Sequence, residues 1–378
     1  MVCTGSFLVR SLWIAPLFLS GGSAWVNTAL SRPGVSTRPS LAKLYNVPPP
    51  AEQDVEAFKT FASKQPPPGS FYELQQDCVR SARLARKDGH QLLEVEFPPL
   101  PANVMEMDDV SAYDVSQANL RLALDFAKGL LAADQDDNAP KKIAILFPDE
   151  PEKEYVLEKT GSANPYPGIV VSSLRAGDET DDRFIKPENF LLNLFSKGSG
   201  GSVRAIPDVD VYICLTASAQ ELPDIEELTT LDPGKTVIFF NLKLDTLRGD
   251  LGAPAFPRKE FQDRFLSRVK PVYILRTRQY SRSTATPPFI VNFQGCLFRA
   301  YPGQFQTLLD TGTGSYRRLV GTDVRPALGK FKQQLVDELK ELGVVKEEST
   351  TLNFLRTGYK TTTWWEEERE DASDIWRT

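Results

Sequence analysis

VDVYICLTASAQELPDIEELTTLDPGKTVIFFN, residues 209–241, decides the fold. It opens with VDVYICL (209–215) and closes with KTVIFFN (235–241), two short runs that are apolar at nearly every position. Such runs predict strands buried on both faces, and the stretch between them, 219–230, predicts a helix. A strand, a helix and a second strand of this kind form a crossover unit, the building block of a parallel sheet. The same alternation continues upstream. QLLEVEFPP (91–99) alternates apolar and polar residues like a half-buried strand stopped by proline. A helix is predicted over 114–132, with Leu120, Leu124, Ala127 and Leu131 on one face. Strands at 142–147 and GIVVSS (168–173) follow, with helical or mixed segments at 150–160, 187–196 and, further on, 258–269. The last third changes character. PVYILRTRQY (271–280) and FIVNFQGCLFRAY (289–301), joined by SRSTATPP, predict an antiparallel pair, and 326–342 a final helix with Leu328, Phe331, Leu335, Leu339 and Leu342 inward. The expected fold class is α/β: a doubly wound, mostly parallel sheet with helices on both faces and an antiparallel C-terminal extension.

Upstream, a helix is predicted to start at Ser70. Ser70-Phe71-Tyr72-Glu73 reads as a capping box, Gly89 as its terminator, and Leu74, Cys78, Val79 and Ala82 as its inward stripe. Before it lies a polar connector, 48–69, bracketed by triple prolines at 48–50 and 66–68, with room for a short amphipathic helix in EQDVEAFKTFAS. The opening 51 residues contain no acid. There SLWIAPLFLS (11–20) has the length of a signal-peptide apolar core, about half the roughly 20 residues a membrane span needs. Small residues follow at 21–24, then Trp25 and a Ser-, Thr-, Arg- and Pro-rich stretch. The expected organisation is a signal peptide at 1–24, a transit-like peptide at 25–47, the connector, one α/β domain over 70–343, and an acidic, Trp-rich segment at 344–378. Ser23-Ala24-Trp25 resembles the bipartite presequence of algae with secondary plastids, which implies a plastid location, in the stroma or peripherally on the thylakoid. No other apolar run approaches membrane length.

Composition excludes several chemistries. His90 is the single histidine, and the four cysteines at 3, 78, 214 and 296 form no close pair, so neither a zinc site nor a disulfide framework is encoded. A formal charge of −6 argues against nucleic acid as a partner. Glycine-rich KGSGGS (197–202) and TGTGS (311–315) lack the context of a phosphate loop, and the acidic run 134–137 lacks calcium-loop spacing. No cofactor or metal is expected. In an open parallel sheet, ligands bind beyond the carboxyl ends of the strands. Asp149, Ser172, Ser173, Thr216, Ser218 and Asn241 occupy those positions and form a candidate crevice.

Charge is unevenly spread. Residues 242–282 hold ten basic residues against four acidic ones. Arg276 and Arg278 alternate onto one face of a strand, Arg282 follows, and Arg299 can join them from the neighbouring strand. Guanidinium groups so arranged suit carboxylates, phosphates or lipid headgroups, and also suit an arginine-rich sheet edge that resists aggregation. The terminal WWEEEREDASDIWRT carries six acids and three tryptophans. It reads either as a solvated tail or as an acidic-aromatic segment that docks on a partner.

The order of FYELQQDCVRSARLA (71–85), LEVEFPPLP (93–101), NLRLALDFAKGL (119–130), IAILFPD (143–149), VDVYICLTAS (209–218), VIFFNLKL (237–244) and VYILR…GCLFRAYPGQF (272–305) resembles a domain of unknown function found in plants, algae and cyanobacteria. The resemblance covers roughly 66–345. The family includes a chloroplast low-PSII-accumulation protein, and the same domain is appended to a plastid adenylate kinase. Where members often carry tryptophan after the YPG turn, this chain has Phe305. The resemblance implies a non-enzymatic plastid factor that assists photosystem II assembly by contacting thylakoid membrane-protein subunits or assembly factors. The alternative is an α/β enzyme or small-ligand binder acting on a phosphorylated or nucleotide-like compound at the strand crevice. The family carries no catalytic signature to transfer.

Overall fold

A computed structural model describes residues 55–105, 110–132, 139–160, 163–176, 201–284, 287–345, 362–370 and 372–378. The presequence, the acidic run 134–137 and the segment 187–196 lie outside the described residues.

Eleven strands are described, β1 Leu92–Glu96, β2 Ile143–Phe147, β3 Ile169–Ser173, β4 Arg175–Ala176, β5 Ser202–Val203, β6 Val211–Cys214, β7 Thr236–Phe240, β8 Lys270–Ser283, β9 Ile290–Ala300, β10 Phe305–Asp310 and β11 Tyr316–Thr322. Nine of them form one sheet in the order β11-β10-β9-β8-β1-β7-β6-β2-β3, while β4 and β5 pair apart. From β3 to β8 every pairing is parallel; from β8 to β11 every pairing is antiparallel. The expected α/β class therefore holds, with the antiparallel extension a four-stranded meander, β8 to β11.

Strand alternation sends residues to two cores. Leu93, Val95, Ile143, Ile145, Val211, Ile213, Ile238 and Phe240 pack under the helices Phe71–Lys87, Ala112–Leu131 and Glu150–Thr160. Their neighbours Leu92, Ala144, Leu146, Tyr212, Cys214, Val237 and Phe239 pack under Leu222–Leu231, Leu244–Asp250 and Glu260–Arg264. The helix Leu328–Glu341 covers the antiparallel end on this second side, through Phe331, Leu335, Val336 and Leu339. Leu328 and Leu342, read as inward, are only half-buried there.

Local signals explain most boundaries. Ser70 Oγ accepts from the Glu73 backbone N–H at 3.2 Å, but the Glu73 carboxylate turns to the Gly69 N–H at 2.8 Å, so the box closes one residue early. Gly89 ends the helix at φ 86°, a left-handed conformation that glycine tolerates without strain. The connector contributes a helix, Val55–Ala62, whose Phe58 and Ala62 are buried, so the packed unit reaches upstream of residue 70. One expectation needs correction. β1 was expected to be half-buried, yet all five of its residues are buried, Glu94 and Glu96 included. It is a central strand between β7 and β8, and arginines supply what water would have supplied to its glutamates. No helix among the described residues is long and apolar enough to cross a membrane.

Candidate functional site

The sheet has two places where adjacent parallel strands send the chain to opposite faces, the geometry that opens a ligand crevice. The first lies between β2, followed by the helix Glu150–Thr160, and β6, followed by Leu222–Leu231. Most of the sequence-derived crevice residues gather there; Asp149, Ser173 and Ser218 are engaged by neighbours, while the buried Thr216 Oγ1 has no hydrogen-bond partner among the described residues. Asp149 Oδ1 accepts the Glu152 backbone N–H at 2.9 Å, as a helix cap. Ser173 Oγ donates to Glu150 Oε2 at 2.5 Å. Ser218 accepts the Gln220 N–H at 3.1 Å and donates to the Glu221 carboxylate. Thr216, in a left-handed conformation at φ 55°, faces Glu152, whose carboxyl is pushed up by burial and by Asp149 and Glu221. Ser172 is half-buried on edge strand β3.

The second lies between β7 and β1, and Asn241 stitches it shut. Its Oδ1 accepts the Phe97 N–H at 2.9 Å, its Nδ2 donates to Asn119 Oδ1 at 2.9 Å, and its own N–H reaches Val95 O at 2.8 Å. A left-handed φ of 55° makes that reach possible, a conformation asparagine enters more readily than most residues.

Beside this closed crevice, on the second face of β1 and β8, lies a buried charge network. Arg276 donates Nε to Glu96 Oε1 at 2.6 Å, pairs through its other nitrogens with Glu96 and Asp245, and stands 3.4 Å from Glu94 Oε1. Asp245 also accepts Arg248 Nη1 at 3.0 Å, Arg278 Nη2 at 3.1 Å and Arg325 Nη2 at 2.7 Å. Burial alone would raise the Asp245 carboxyl. Arg276, Arg325, Arg248 and Arg278 overcome it and hold the group well below the usual carboxylate range. Burial wins at Glu94, whose carboxyl is pushed up despite the pull of Arg325, Arg248 and Arg276. Four guanidinium groups thus face three carboxylates.

The surplus meets an aromatic ring. Trp376, 4 % exposed, lies with its ring centroid 4.9 Å from the Arg248 guanidinium and 5.9 Å from that of Arg325, where a negative π-face complements buried positive charge. Residues 362–370 and 372–378 therefore dock on their own chain. The Arg325 N–H donates to Arg377 O at 2.7 Å, and Glu366 accepts the Leu328 N–H at 2.8 Å. Arg377 Nη2 donates to Glu366 O and Glu367 O, both at 2.9 Å, and Arg369 pairs with Asp263 at 2.6 Å. Lys259 stands 5.0 Å from the Trp364 ring. The contacts rest on tryptophans against cations more than on the acids that dominate the segment's composition.

The sequence-derived arginines divide in this setting. Arg276 and Arg299 do share a face, since Arg276 pairs with Leu297 and Ile274 with Arg299, but both are buried. Arg278 is partly buried against Asp245, and Arg282 lies half-buried further out on the β8–β9 hairpin opposite Val291. Arg299 stacks 4.4 Å from the Phe305 ring, which fills the position after the YPG turn. Cys78, Cys214 and Cys296 are buried with thiols pushed up by burial, Cys214 to about 12, and His90 meets Tyr301 edge-on at 6.0 Å. Glu94, Glu96, Asp245, Arg248, Arg325 and Trp376 were not singled out from sequence. One signal was available: glutamates at i and i+2 on one strand and arginines at i and i+2 on another are complementary when the strands pair.

A family model described as a domain of unknown function, DUF1995, matches residues 68–333. The chain belongs to the DUF1995 family. Every charged member of the network lies inside the DUF1995 match, whereas Trp376 lies beyond it. Neither the curated proteins nor the solved structures contain a match to this chain.

Proposed function

We propose that this DUF1995 protein is a plastid auxiliary factor that works by protein–protein contact and assists the assembly of photosystem II in or beside the thylakoid membrane. The observation that carries the reading is the docking of residues 362–370 and 372–378. A groove between the helices Leu244–Asp250 and Leu328–Glu341 accepts a short segment by seating a tryptophan on paired guanidinium groups, which is how peptide-recognition surfaces use aromatic anchors. A partner segment bearing an aromatic anchor exchanges with the chain's own Trp376 in this groove. The plastid part of the reading draws on the signal-like and transit-like stretches before residue 48 and on the family resemblance.

The crevice of Asp149, Ser173 and Ser218 is a poorer candidate for a small ligand, because its polar atoms are engaged by neighbouring carboxylates and backbone. The test is native electrophoresis of solubilised plastid membranes, probing for this chain beside a photosystem II core subunit. Co-migration with an assembly intermediate, absent from the mature complex, is expected. Recovery only as free chain in the soluble fraction overturns the reading.

A further inference from the structure

We propose that the row of buried cations beneath residues 376–378 is a binding site for a tetrahedral oxyanion, either inorganic phosphate or the phosphate group of a small ester. Four buried cationic side chains form it: Arg248 at 0 %, Arg299 at 4 %, Lys270 at 9 % and the Arg325 side chain at 6 % exposed. Their placement follows the segment above them. Trp376 lies over Arg248 and Arg325, the Arg325 N–H bonds Arg377 O, and Lys270 Nζ stands 3.5 Å from Thr378 Oγ1. Arg299 and Lys270 flank the Tyr301 ring, at 5.7 and 5.6 Å from its centroid.

Carboxylates serve only one end of this row. Asp245 bonds Arg248 and Arg325, and Glu94 Oε2 stands 3.9 Å from Arg325 Nη1, too far for a hydrogen bond. Among the described residues no carboxylate forms an ion pair with Arg299 or Lys270. Four guanidinium nitrogens in the row, Arg248 Nη2, Arg299 Nε, Arg299 Nη1 and Arg325 Nη1, are buried without a hydrogen-bond partner. Buried donors of this strength call for an acceptor. The acceptor must be negative, because the surrounding charge is positive, and must offer oxygens in several directions to meet donors from three arginines. A phosphate group does both, and the guanidinium fork matches two of its oxygens at once. The electrostatics agree: burial and Arg299 push Lys270 down to about 8, and burial, with Arg325 nearby, pushes Arg299 down to about 10. An anion at this place relieves that crowding. The site shares Arg248 and Arg325 with the docking groove, but the anion it takes does not depend on which partner that groove accepts.

The experiment is thermal unfolding of the full chain in phosphate and in chloride at matched ionic strength, with glycerol 3-phosphate as a second arm and ³¹P line width as an independent readout. Phosphate at about 100 times its Kd should raise Tm by roughly 5 °C. Lys270→Met, which removes a charge that burial disfavours and so keeps the fold, should weaken phosphate at least tenfold. A rise with the ester alone supports the site and assigns it to a larger phosphorylated molecule. No rise above chloride in either arm with an unbroadened ³¹P line, or a rise that Lys270→Met leaves unchanged, overturns the proposal.

Discussion

Two regions at the carboxyl ends of the strands make opposite use of polar side chains. Around β2 and β6, serines and carboxylates pair mostly within a few residues of sequence: Asp149 caps Glu152, and Ser218 binds Gln220 and Glu221, while Ser173 reaches back to Glu150. Around β1 and β8, Arg276 reaches Glu96 and Glu94 across 180 and 182 positions of sequence, and the result is buried, with Glu94 Oε2 and Arg325 Nη1 left without a hydrogen bond among the described residues. Local pairing yields ordinary loop structure that could fold alone. Distant pairing places charge where water cannot reach it, and so makes the network conditional on the complete sheet and on the segment laid over it.

That contrast can be broken most forcefully at Asp245. Asp245→Asn strips the shared counter-ion from four arginines and should cost about 4 kcal/mol in denaturant unfolding, the range for a broken buried ion pair. A loss below 1 kcal/mol would mean that the network is solvated and no different from the β2–β6 loops. The Asp245 contribution should be complete above the ordinary carboxylate pKa and fade only as pH falls below it, because its folded value is depressed.

Lys270 sharpens the same contrast from the basic side. Its folded pKa of about 8 lies below the usual 10.5, so the folded state resists protonation. Stability should therefore rise as pH increases from 8 to 10.5, by at most about 3 kcal/mol, and Lys270→Met should remove that rise. Parallel pH profiles of the two proteins would show that this lysine is not buried among cations.

Asn241 sits between the two regimes, since its two side-chain bonds join Phe97 and Asn119, more than a hundred residues away. Asn241→Ala should cost about 2 kcal/mol through a stranded Phe97 N–H and a strained left-handed alanine. The smallest effect belongs to Ser218→Ala, below about 1 kcal/mol, because its bonds are exposed and close in sequence. A larger loss at Ser218, or a loss of partner association, would return the β2–β6 crevice to the functional site.

Much of the sheet was legible because VYIC and TVIFF are short, apolar and separated by a helical spacer, which leaves few arrangements open. β1 was misread for a physical reason: LLEVE has the alternation of a solvent-facing strand, and only the arrival of Arg276 from the next strand makes buried glutamates tolerable. The polar residues after the strands were found, but position alone does not distinguish Ser173, bonded to Glu150, from a hydroxyl left for a ligand. The charge network was illegible as a whole because its members come from β1, β8, the helix Leu244–Asp250, the loop before Leu328 and the final residues. The basic bias of 242–282 was visible, yet Arg248 and Arg276 point into the protein and Arg278 and Arg282 are half-buried, while Arg258, Arg264 and Arg268 stay exposed.

The turn Tyr301-Pro302-Gly303 carries a last consequence. A Cβ at Gly303 would stand 2.5 Å from the Ala62 carbonyl carbon, so the helix Val55–Ala62 lies directly on the turn. Ser63 Oγ accepts the Gln304 N–H at 3.1 Å, and Gln65 O accepts Gln306 Nε2 at 2.8 Å. The folding unit is therefore longer than the DUF1995 match, which starts at residue 68. A recombinant chain begun at that boundary would lose the plug over Gly303 and bare the seat of Phe58. By the same geometry, any proteolytic trimming of the N-terminal region must stop upstream of Val55, or it removes part of the interior.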